Sequence, residues 1–205
     1  MSLHVLLHHP VQIPALKYGG IERVVLWLAQ GLIEAGHRVS IVCEGDGDLP
    51  AGIHRVKPAY FNELNQVPGR VRETLQVDLI HFHATPSESE WEPTKLPYLV
   101  TIHGNGKLGE KYLPHTVFVS RDHAQRHGRS AFVHNGVNPT DYDSSPQKDR
   151  SFRFLSKTSW EVKNLRGALE ICDAAGVTLE IAGGNRPVGL RMRVAFSSHR
   201  WWGAV

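Results

Sequence analysis

The sequence has few cysteines and no long apolar run. Only two of its 205 residues are cysteines, Cys43 and Cys172, and they stand far apart in apolar surroundings. Such a pair does not form the disulfide framework of a secreted domain, so we expect buried thiols and a cytoplasmic location. The N-terminus lacks the positive n-region of a signal peptide, and no stretch reaches the roughly 18 apolar residues that a membrane helix requires. Any membrane contact would be peripheral.

Acidic residues are missing from the end of the chain. None follows Glu180, whereas residues 186–205 hold four arginines and two adjacent tryptophans without a clear strand or helix period. These four account for the net charge of +3 and the pI near 9.0, because the rest of the chain carries 19 basic and 20 acidic residues. We therefore expect no nucleic-acid partner. Two interpretations of the segment stay open, a truncation or frameshift and a basic, aromatic docking tail.

The apolar pattern of the first 43 residues is that of a βαβ unit. Residues 3–8 form a short apolar run that predicts a buried strand, and residues 37–43 predict a second one. Between them, apolar residues recur at helical spacing from Ile21 until Gly36, which is a typical helix-ending residue. With 41% apolar and 21% charged residues, the chain has enough material for a packed core.

The alternation of strands and helices continues along the chain. It predicts helices at about 61–76, 121–127 and 162–175, and strands at 77–83, 98–103, 116–119, 131–134, 152–156 and 177–182. Such alternation indicates an α/β fold with a parallel sheet. We expect a Rossmann-like N-terminal domain at 1–138, a linker at 139–151, the incomplete start of a second Rossmann-like domain at 152–185, and an atypical basic tail at 186–205.

Gly19 and Gly20 stand between the first strand and the first helix. A glycine loop at a helix N-terminus lets backbone N–H groups approach an anion or a sugar hydroxyl, but an isolated pair also suits a tight turn. Glu22 follows in the first helical turn, where the helix dipole favours a carboxylate in any case. Both interpretations stay open.

A second glycine pattern, residues 104–109, matches G-x-G-x-x-G after a strand. The dinucleotide fingerprint must open a helix, and Pro114 and the strand at Thr116 leave no room for one. We interpret this segment as a flexible loop that lines the site.

Three histidines end two neighbouring predicted strands. His81 and His83 share one face of their strand, and His103 ends the next. Three imidazoles could ligate zinc, but no carboxylate or cysteine stands at metal-like spacing. Because strand carboxyl ends line the ligand crevice of an open α/β sheet, His103 is better interpreted as a hydrogen-bonding site residue. We predict no metal.

Two lysines flank the predicted strand-to-helix junction of the second domain. Lys157 ends the strand and Lys163 begins the helix. Two cations before a helix N-terminus would suit a pyrophosphate, although exposed lysines are also common on surfaces.

Seven short stretches, in order, resemble glycosyltransferase family 4. Their order over residues 1–185 makes the combination specific, although each is short. The resemblance implies a GT-B arrangement of two Rossmann-like domains and retaining transfer from a nucleotide sugar, with the second domain truncated. The stretches are Tyr18–Val25, Asp78–His83, Thr101–Gly104, Val117–Arg121, His134–Asn138, Phe154–Lys163 and Leu179–Gly184.

The same resemblance implies roles for the candidate residues. Gly19 and Gly20 would form the loop near the donor phosphate and acceptor, with Glu22 beside them. His103 would be the catalytic-site residue that contacts the transferred sugar or the acceptor. Lys157, where the family usually has arginine, and Lys163 would hold the donor diphosphate. Asn164 stands in place of a family glycine.

The function that the resemblance implies is transfer of a sugar from a UDP- or GDP-sugar to a sugar or small-molecule acceptor, with no other cofactor. Because no acid follows Glu180, the family's second-domain E-x7-E element is missing, and the chain's own activity is an open question. Two alternatives remain: a binding or assembly module that forms a homo-oligomer, and a histidine-based metal hydrolase.

Overall fold

The computed structural model of the chain describes residues 1–16, 19–107, 109–143, 145–147, 151–184 and 198–203. It divides into two compact units, Met1–Asp141 and Tyr142–Val205. The division lies inside the segment 139–151 that the sequence predicts as a linker. We call the two parts unit 1 and unit 2.

Unit 1 alternates strands with helices. Its strands are β1 (His4–Gln12), β2 (Arg38–Glu44), β3 (Ile53–Val56), β4 (Leu79–Phe82), β5 (Tyr98–Ile102) and β6 (Thr116–Phe118). Its α-helices are α1 (Gly20–Glu34), α2 (Pro58–Leu64), α3 (Arg70–Leu75), α4 (Glu88–Trp91) and α5 (Arg121–Arg126). Two 3-10 helices complete it, Glu92–Thr94 and Pro139–Asp141.

The six strands form one parallel sheet in the order β3-β2-β1-β4-β5-β6. Side chains alternate between its two faces, as in any strand. Leu6, Ile80 and Val100 pack in a core cluster with residues of α2 and α3, whereas Leu7 and Ile41 pack on the opposite face with α1. The predicted α/β class and parallel sheet are confirmed.

Two predictions for unit 1 are wrong in detail, and one of its strands was not predicted. The single helix predicted at 61–76 is two helices, because Pro68 and the left-handed Gly69 interrupt it. The strand at Ile53–Val56 was not predicted, since its four residues carry no clear alternation. Residues 131–134 form no strand and only one isolated bridge, between Phe118 and Phe132.

The first strand extends further than its apolar run. β1 continues past Pro10 to Gln12, with an irregular register between His8 and Gln12. A proline cannot donate to a strand ladder, so it is tolerated where the pairing is already interrupted. His9 therefore belongs to β1 and shares a face with Val5 and Leu7.

Unit 2 is a second, smaller parallel sheet. Its strands, β7 (Phe152–Leu155), β8 (Leu179–Ala182) and β9 (Arg200–Gly203), pair in that order, and helix α6 (Leu165–Ala175) follows a 3-10 helix, Glu161–Lys163. Leu165, Leu169 and Ile181 are buried in its core.

Part of the basic tail belongs to this sheet. β9 pairs in parallel with β8, and Trp201 packs against the core of unit 2. The sequence showed no strand period here, because only four residues pair and they alternate between half-buried and exposed. Residues 186–197, 204 and 205 of the tail lie outside the described residues.

Cys43 and Cys172 are buried free thiols, as predicted. Among the described residues, no helix has the length and apolar character needed to cross a bilayer.

Candidate functional site

Two histidines meet where neighbouring strands of unit 1 end. His83 directly follows β4 and His103 directly follows β5. Because all strands are parallel, their carboxyl ends meet at one edge of the sheet. His83 Nδ1 lies 3.1 Å from His103 Nε2, which is hydrogen-bonding distance.

Two further histidines adjoin this pair on the same face. The His81 ring centroid lies 4.3 Å from that of His83, and His81 Nε2 is hydrogen-bonded to Thr101 Oγ1 at 2.8 Å. The His9 ring meets His83 edge-on at 6.2 Å. Strand alternation produces this arrangement, as the sequence predicts for His81 and His83. We call His9, His81, His83 and His103 the imidazole cluster.

Burial keeps the imidazole cluster uncharged. It lowers the pKa of His81 to about 4 and lowers that of His83 further, with the neighbouring histidines adding to both shifts. Burial also lowers the pKa of His9, and the Glu22 carboxylate opposes part of that shift. The pKa of His103 is lowered by burial as well, and the Asn135 side chain opposes part of it. At neutral pH the cluster therefore offers N–H donors and nitrogen acceptors rather than charge.

The cluster is not arranged as a metal site. Within the described ranges, no group of three or more His, Cys, Asp or Glu side chains could hold a metal ion. His81 and His83 are instead engaged with Thr101 and His103. The metal-hydrolase alternative gains no support from this geometry.

The glycine loop lies beside Glu22, whose carboxylate interacts with His9 of the imidazole cluster. Gly19 is buried against Ala15, and a side chain at position 19 would meet the Ala15 side chain and the Glu22 carboxylate. Gly20 has open space where a side chain would be. Arg23 donates a 2.9 Å hydrogen bond to the Gly19 carbonyl. The structure thus places Gly19 against Glu22, and the Glu22 carboxylate acts electrostatically on His9. Lys17 and Tyr18 lie outside the described residues.

Arg55 holds the loops at this edge of the sheet. Its guanidinium donates to the carbonyl of Ile13, in the loop after β1, and to those of Gly45 and Gly47, after β2. Several carbonyl acceptors around one guanidinium fix two loops relative to each other. Arg55 thereby supports the segment that leads into Gly19.

A cavity of about 720 Å³ lies on the α1 side of the sheet in unit 1. Aliphatic side chains such as Val24, Leu79 and Leu99 form much of its wall, and the imidazole cluster contributes three of its polar groups. An apolar cavity with a few converging polar groups is the usual form of a small-molecule site. The other polar residues along its wall include Thr101, His134, Asn135 and Asn138.

The G-x-G-x-x-G segment opens no helix in its described residues. It is a loop that runs from His103 to β6, with Leu108 outside the described residues. His127 Nε2 is hydrogen-bonded to the Asn105 carbonyl at 2.9 Å. This geometry agrees with the interpretation as a loop rather than a dinucleotide fingerprint.

Unit 2 holds the two candidate lysines. Lys157 lies in the loop after β7, two residues beyond the predicted strand's observed end at Leu155, and its Nζ lies 4.5 Å from the ring centroid of Trp160. Lys163 is exposed at the end of the 3-10 helix, so the helix predicted at 162–175 begins three residues later, at Leu165. Asn164 separates that helix from α6; it has a left-handed backbone and its side chain accepts a hydrogen bond from the Gly167 N–H at 3.1 Å. Asparagine tolerates this conformation, which explains how it can replace a glycine.

Two residues of this region were not among the sequence candidates. His9 was missed because Pro10 appeared to end the strand, although continued alternation from Leu7 would have placed it on the face of the cluster. Asn135 stands in the His134–Asn138 stretch, and no local signal links it to His103. Only the fold brings it near.

The chain is similar to several solved glycosyltransferase structures. A glycosyltransferase from Rickettsia africae ESF-5 superposes with a TM-score of 0.67 at 17% identity, over 100% of this chain and 69% of that one. The catalytic domain of starch synthase IV from Arabidopsis thaliana gives 0.60 at 12% identity, over 99% of this chain and 74% of that one. MurG from Acinetobacter baumannii gives 0.51 at 14% identity, over 100% and 66%. These likenesses support the GT-B type of fold.

No curated protein matches the chain significantly by sequence. The model of Glycosyltransferase Family 4, however, matches residues 18–141. The match spans more than half of the chain, from the glycine loop to the end of unit 1. The chain belongs to glycosyltransferase family 4.

Proposed function

We propose that this chain takes part in the retaining transfer of a sugar from a UDP- or GDP-sugar to a sugar or small-molecule acceptor in the cytoplasm. His103, Gly19, Gly20 and Glu22 would contact the sugar and the acceptor, and Lys157 and Lys163 would contact the donor diphosphate. No other cofactor is needed for this chemistry.

The observation that carries the proposal is the hydrogen bond that brings His83 and His103 together at the carboxyl edge of the unit 1 sheet, with the Glu22 carboxylate acting electrostatically on the adjoining His9. That edge is where open α/β sheets bind ligands. The neutral imidazole cluster provides uncharged hydrogen-bonding groups, which suit sugar hydroxyls. The glycine at position 19 lets the backbone lie close to the helix N-terminus without an intervening side chain.

Unit 2 supports the donor end of the proposal. Lys157 and Lys163 stand at the β7-to-α6 junction, and the positive end of the α6 dipole lies behind them. Cations at this junction would stabilise the negative charge that develops on a departing diphosphate. The starch synthase IV structure, which shares the fold, is described as bound to ADP and acarbose.

In the proposed reaction, the bond between the anomeric carbon and the diphosphate oxygen breaks. The acceptor oxygen bonds to the same face of the sugar, and its proton passes to the departing diphosphate. The residues contribute position and hydrogen bonds rather than a carboxylate pair.

Calorimetric titration of the full chain with UDP-glucose and GDP-mannose tests donor binding. We expect one of the two to bind, with about tenfold weaker binding in Lys157→Ala and in Lys163→Ala, the size of one lost charge-assisted contact. Lys95→Gln removes one exposed charge from unit 1 and serves as the matched control. NMR of the product's anomeric proton tests retention.

Two outcomes would overturn the proposal. One is absence of binding for both nucleotide sugars by a folded chain that forms a homo-oligomer, which would favour the binding-module alternative. The other is a product of inverted anomeric configuration, which would refute the retaining step.

A further inference from the structure

One face of the unit 1 sheet changes from apolar to polar along its strands. The side chains that line the cavity from β4, from β5 and from the residue after each strand lie on alternate residues, as side chains of one sheet face do. In chain order they are Leu79, His81 and His83 on one strand and Leu99, Thr101 and His103 on the other. The cavity therefore has an aliphatic floor near the amino ends of the strands and hydrogen-bonding side chains near their carboxyl ends.

Helix α1 forms the opposite wall and leaves part of the space empty. Val24, Leu28 and Gly31 line the cavity and recur at i, i+4 and i+7, so they share one face of the helix. The polar residues that α1 adds to the wall are Gln30 and Glu34. A Cβ at position 31 would meet nothing within 4 Å, and glycine is unfavourable in a helix interior. The residue whose side chain would fill this space is thus the smallest one, which keeps the apolar end of the cavity open.

The aliphatic surface of the cavity is accessible to a ligand. Leu79, Leu99 and Val117 line it from the sheet and are only half-buried. Val133 and Val137 line the same cavity and are 66% and 62% exposed. Apolar side chains that surround a concave surface and stay open to solvent are typical of a binding site rather than of a core.

The polar end offers both kinds of hydrogen-bonding group. His134 Nδ1 lies 3.1 Å from the Val119 carbonyl, and a carbonyl only accepts, so that nitrogen carries the proton. Nε2 of the neutral His134 ring is consequently an acceptor. Asn135, the next residue, is exposed on the cavity wall, and its amide group both donates and accepts. Such side chains suit a hydroxyl group, which also does both.

We propose that this cavity binds a single molecule of an amphiphilic alcohol. Its hydrocarbon chain lies between α1 and the amino-terminal half of the sheet, and its hydroxylated head lies at the carboxyl edge. The strand from Leu79 to His83 spans about 13 Å, which is long enough for an octyl chain. The volume of about 720 Å³ is that of a small-molecule site. That the amphiphile is the acceptor substrate rests on the proposed function, but its binding does not.

Gly31 offers a test that preserves the fold. Gly31→Phe fills the apolar end of the cavity, whereas Gly31→Ala adds only a methyl group at the same position. Because glycine is a poorer helix former than either replacement, both variants should resist urea at least as well as the wild type. The two variants therefore differ in the open volume of the cavity and not in the integrity of α1.

Calorimetric titration of the full chain with octyl β-D-glucoside, below its critical micelle concentration, and with methyl β-D-glucoside measures binding without a donor. We expect the octyl compound to bind about a hundredfold more tightly, because each buried methylene contributes about fourfold and half of the added chain suffices. Gly31→Phe should weaken its binding by about tenfold or more, and Gly31→Ala by less than about twofold. Equal affinity for the two glucosides, or equal affinity of wild type and Gly31→Phe, overturns the proposal.

NMR of the chain labelled with ¹⁵N-histidine tests the position of the head. We expect octyl β-D-glucoside to shift the ring resonances of His103 and His134 and to leave those of His54, an exposed residue of β3, unchanged. Unchanged His103 and His134 resonances at saturation would contradict the proposed orientation. In sedimentation, a dimer that Gly31→Phe dissociates and octyl β-D-glucoside does not would assign the cavity to a second copy of the chain and would also overturn the proposal.

Turnover tests the link to the proposed function. With the nucleotide sugar that binds, we expect kcat/KM for octyl β-D-glucoside to exceed that for the methyl compound by about a hundredfold, and Gly31→Phe to lose this preference. Binding of octyl β-D-glucoside without sugar transfer to it would contradict the proposed function and support the amphiphile site. Sugar transfer with no preference for the octyl compound would do the reverse.

Discussion

Gly19 and Ala15 lie so close together that no side chain fits between them. A Cβ at position 19 would fall well inside van der Waals contact of the Ala15 Cβ, whereas a Cβ at position 20 would meet nothing within 4 Å. The two adjacent glycines of the loop are therefore not equivalent. The first is required by a close approach, and the second is not.

We expect Gly19→Ala to lower the free energy of unfolding by about 1–3 kcal/mol, the usual effect of overpacking. Gly20→Ala adds a good helix former at the exposed first residue of α1. It should raise the free energy of unfolding by about 0.5–1 kcal/mol. Urea unfolding measures both. In the double variant Ala15→Gly/Gly19→Ala the clash is relieved, and equal destabilisation of the single and double variants would refute this explanation.

His8 makes the stability of unit 1 depend on pH. Its ring packs 4.9 Å from Phe61 and 5.0 Å from Phe82, and burial lowers its pKa from 6.5 to about 4. The folded protein therefore keeps His8 neutral where the unfolded chain would protonate it. The contribution of neutral His8 to the free energy of unfolding is fully present above pH 6.5 and is lost as the pH falls toward 4.

Between pH 7 and pH 5, we expect the free energy of unfolding of the wild type to fall by about 2 kcal/mol more than that of His8→Leu. Urea unfolding at the two pH values measures the difference. His115→Leu, at an exposed site, is the control and should keep the wild-type pH dependence. A pH dependence that is the same in wild type and His8→Leu would contradict the burial of a neutral imidazole.

Asn164 has two structural tasks at the start of α6. Its backbone is left-handed, with φ of 53°, and its side chain caps the helix through the Gly167 N–H. Asn164→Ala loses the cap and keeps the strain, so it should cost about 1–2 kcal/mol. Asn164→Gly loses the cap but relieves the strain and should cost only a few tenths. Thermal unfolding would disprove this if the two variants were equally unstable.

His199, which precedes β9, is hydrogen-bonded to the first residue of β8. Its Nδ1 accepts the Leu179 N–H at 3.1 Å, so its proton lies on Nε2, which donates to Asp173 Oδ1 at 2.8 Å. We expect His199→Leu to cost about 1–3 kcal/mol, because a buried N–H loses its acceptor, and to speed hydrogen exchange at the Leu179 amide. His199→Asn can still accept that N–H and should slow the exchange again. Unchanged exchange in His199→Leu would contradict the pairing.

Much of the fold could be predicted from local patterns. The strand at residues 98–103 and the helix that Gly36 follows were both evident from apolar spacing, because burial on one face imposes a period on a long element. The short strand at 53–56 was missed because a four-residue element carries too little pattern, whereas the helix break was missed although Pro68 and Gly69 signal it in the sequence. Parallel strands with carboxyl ends at one edge also predicted where His83 and His103 would lie.

The sequence by itself determined the α/β class, the family and the edge of the sheet where the candidate residues gather, since these follow from periodicity and from motifs in a fixed order. Only the tertiary structure decided that His9 joins the imidazole cluster, that the cluster is uncharged and that part of the basic tail is a strand. Each of these depends on burial or hydrogen bonds between residues distant in the chain, and local sequence does not encode either.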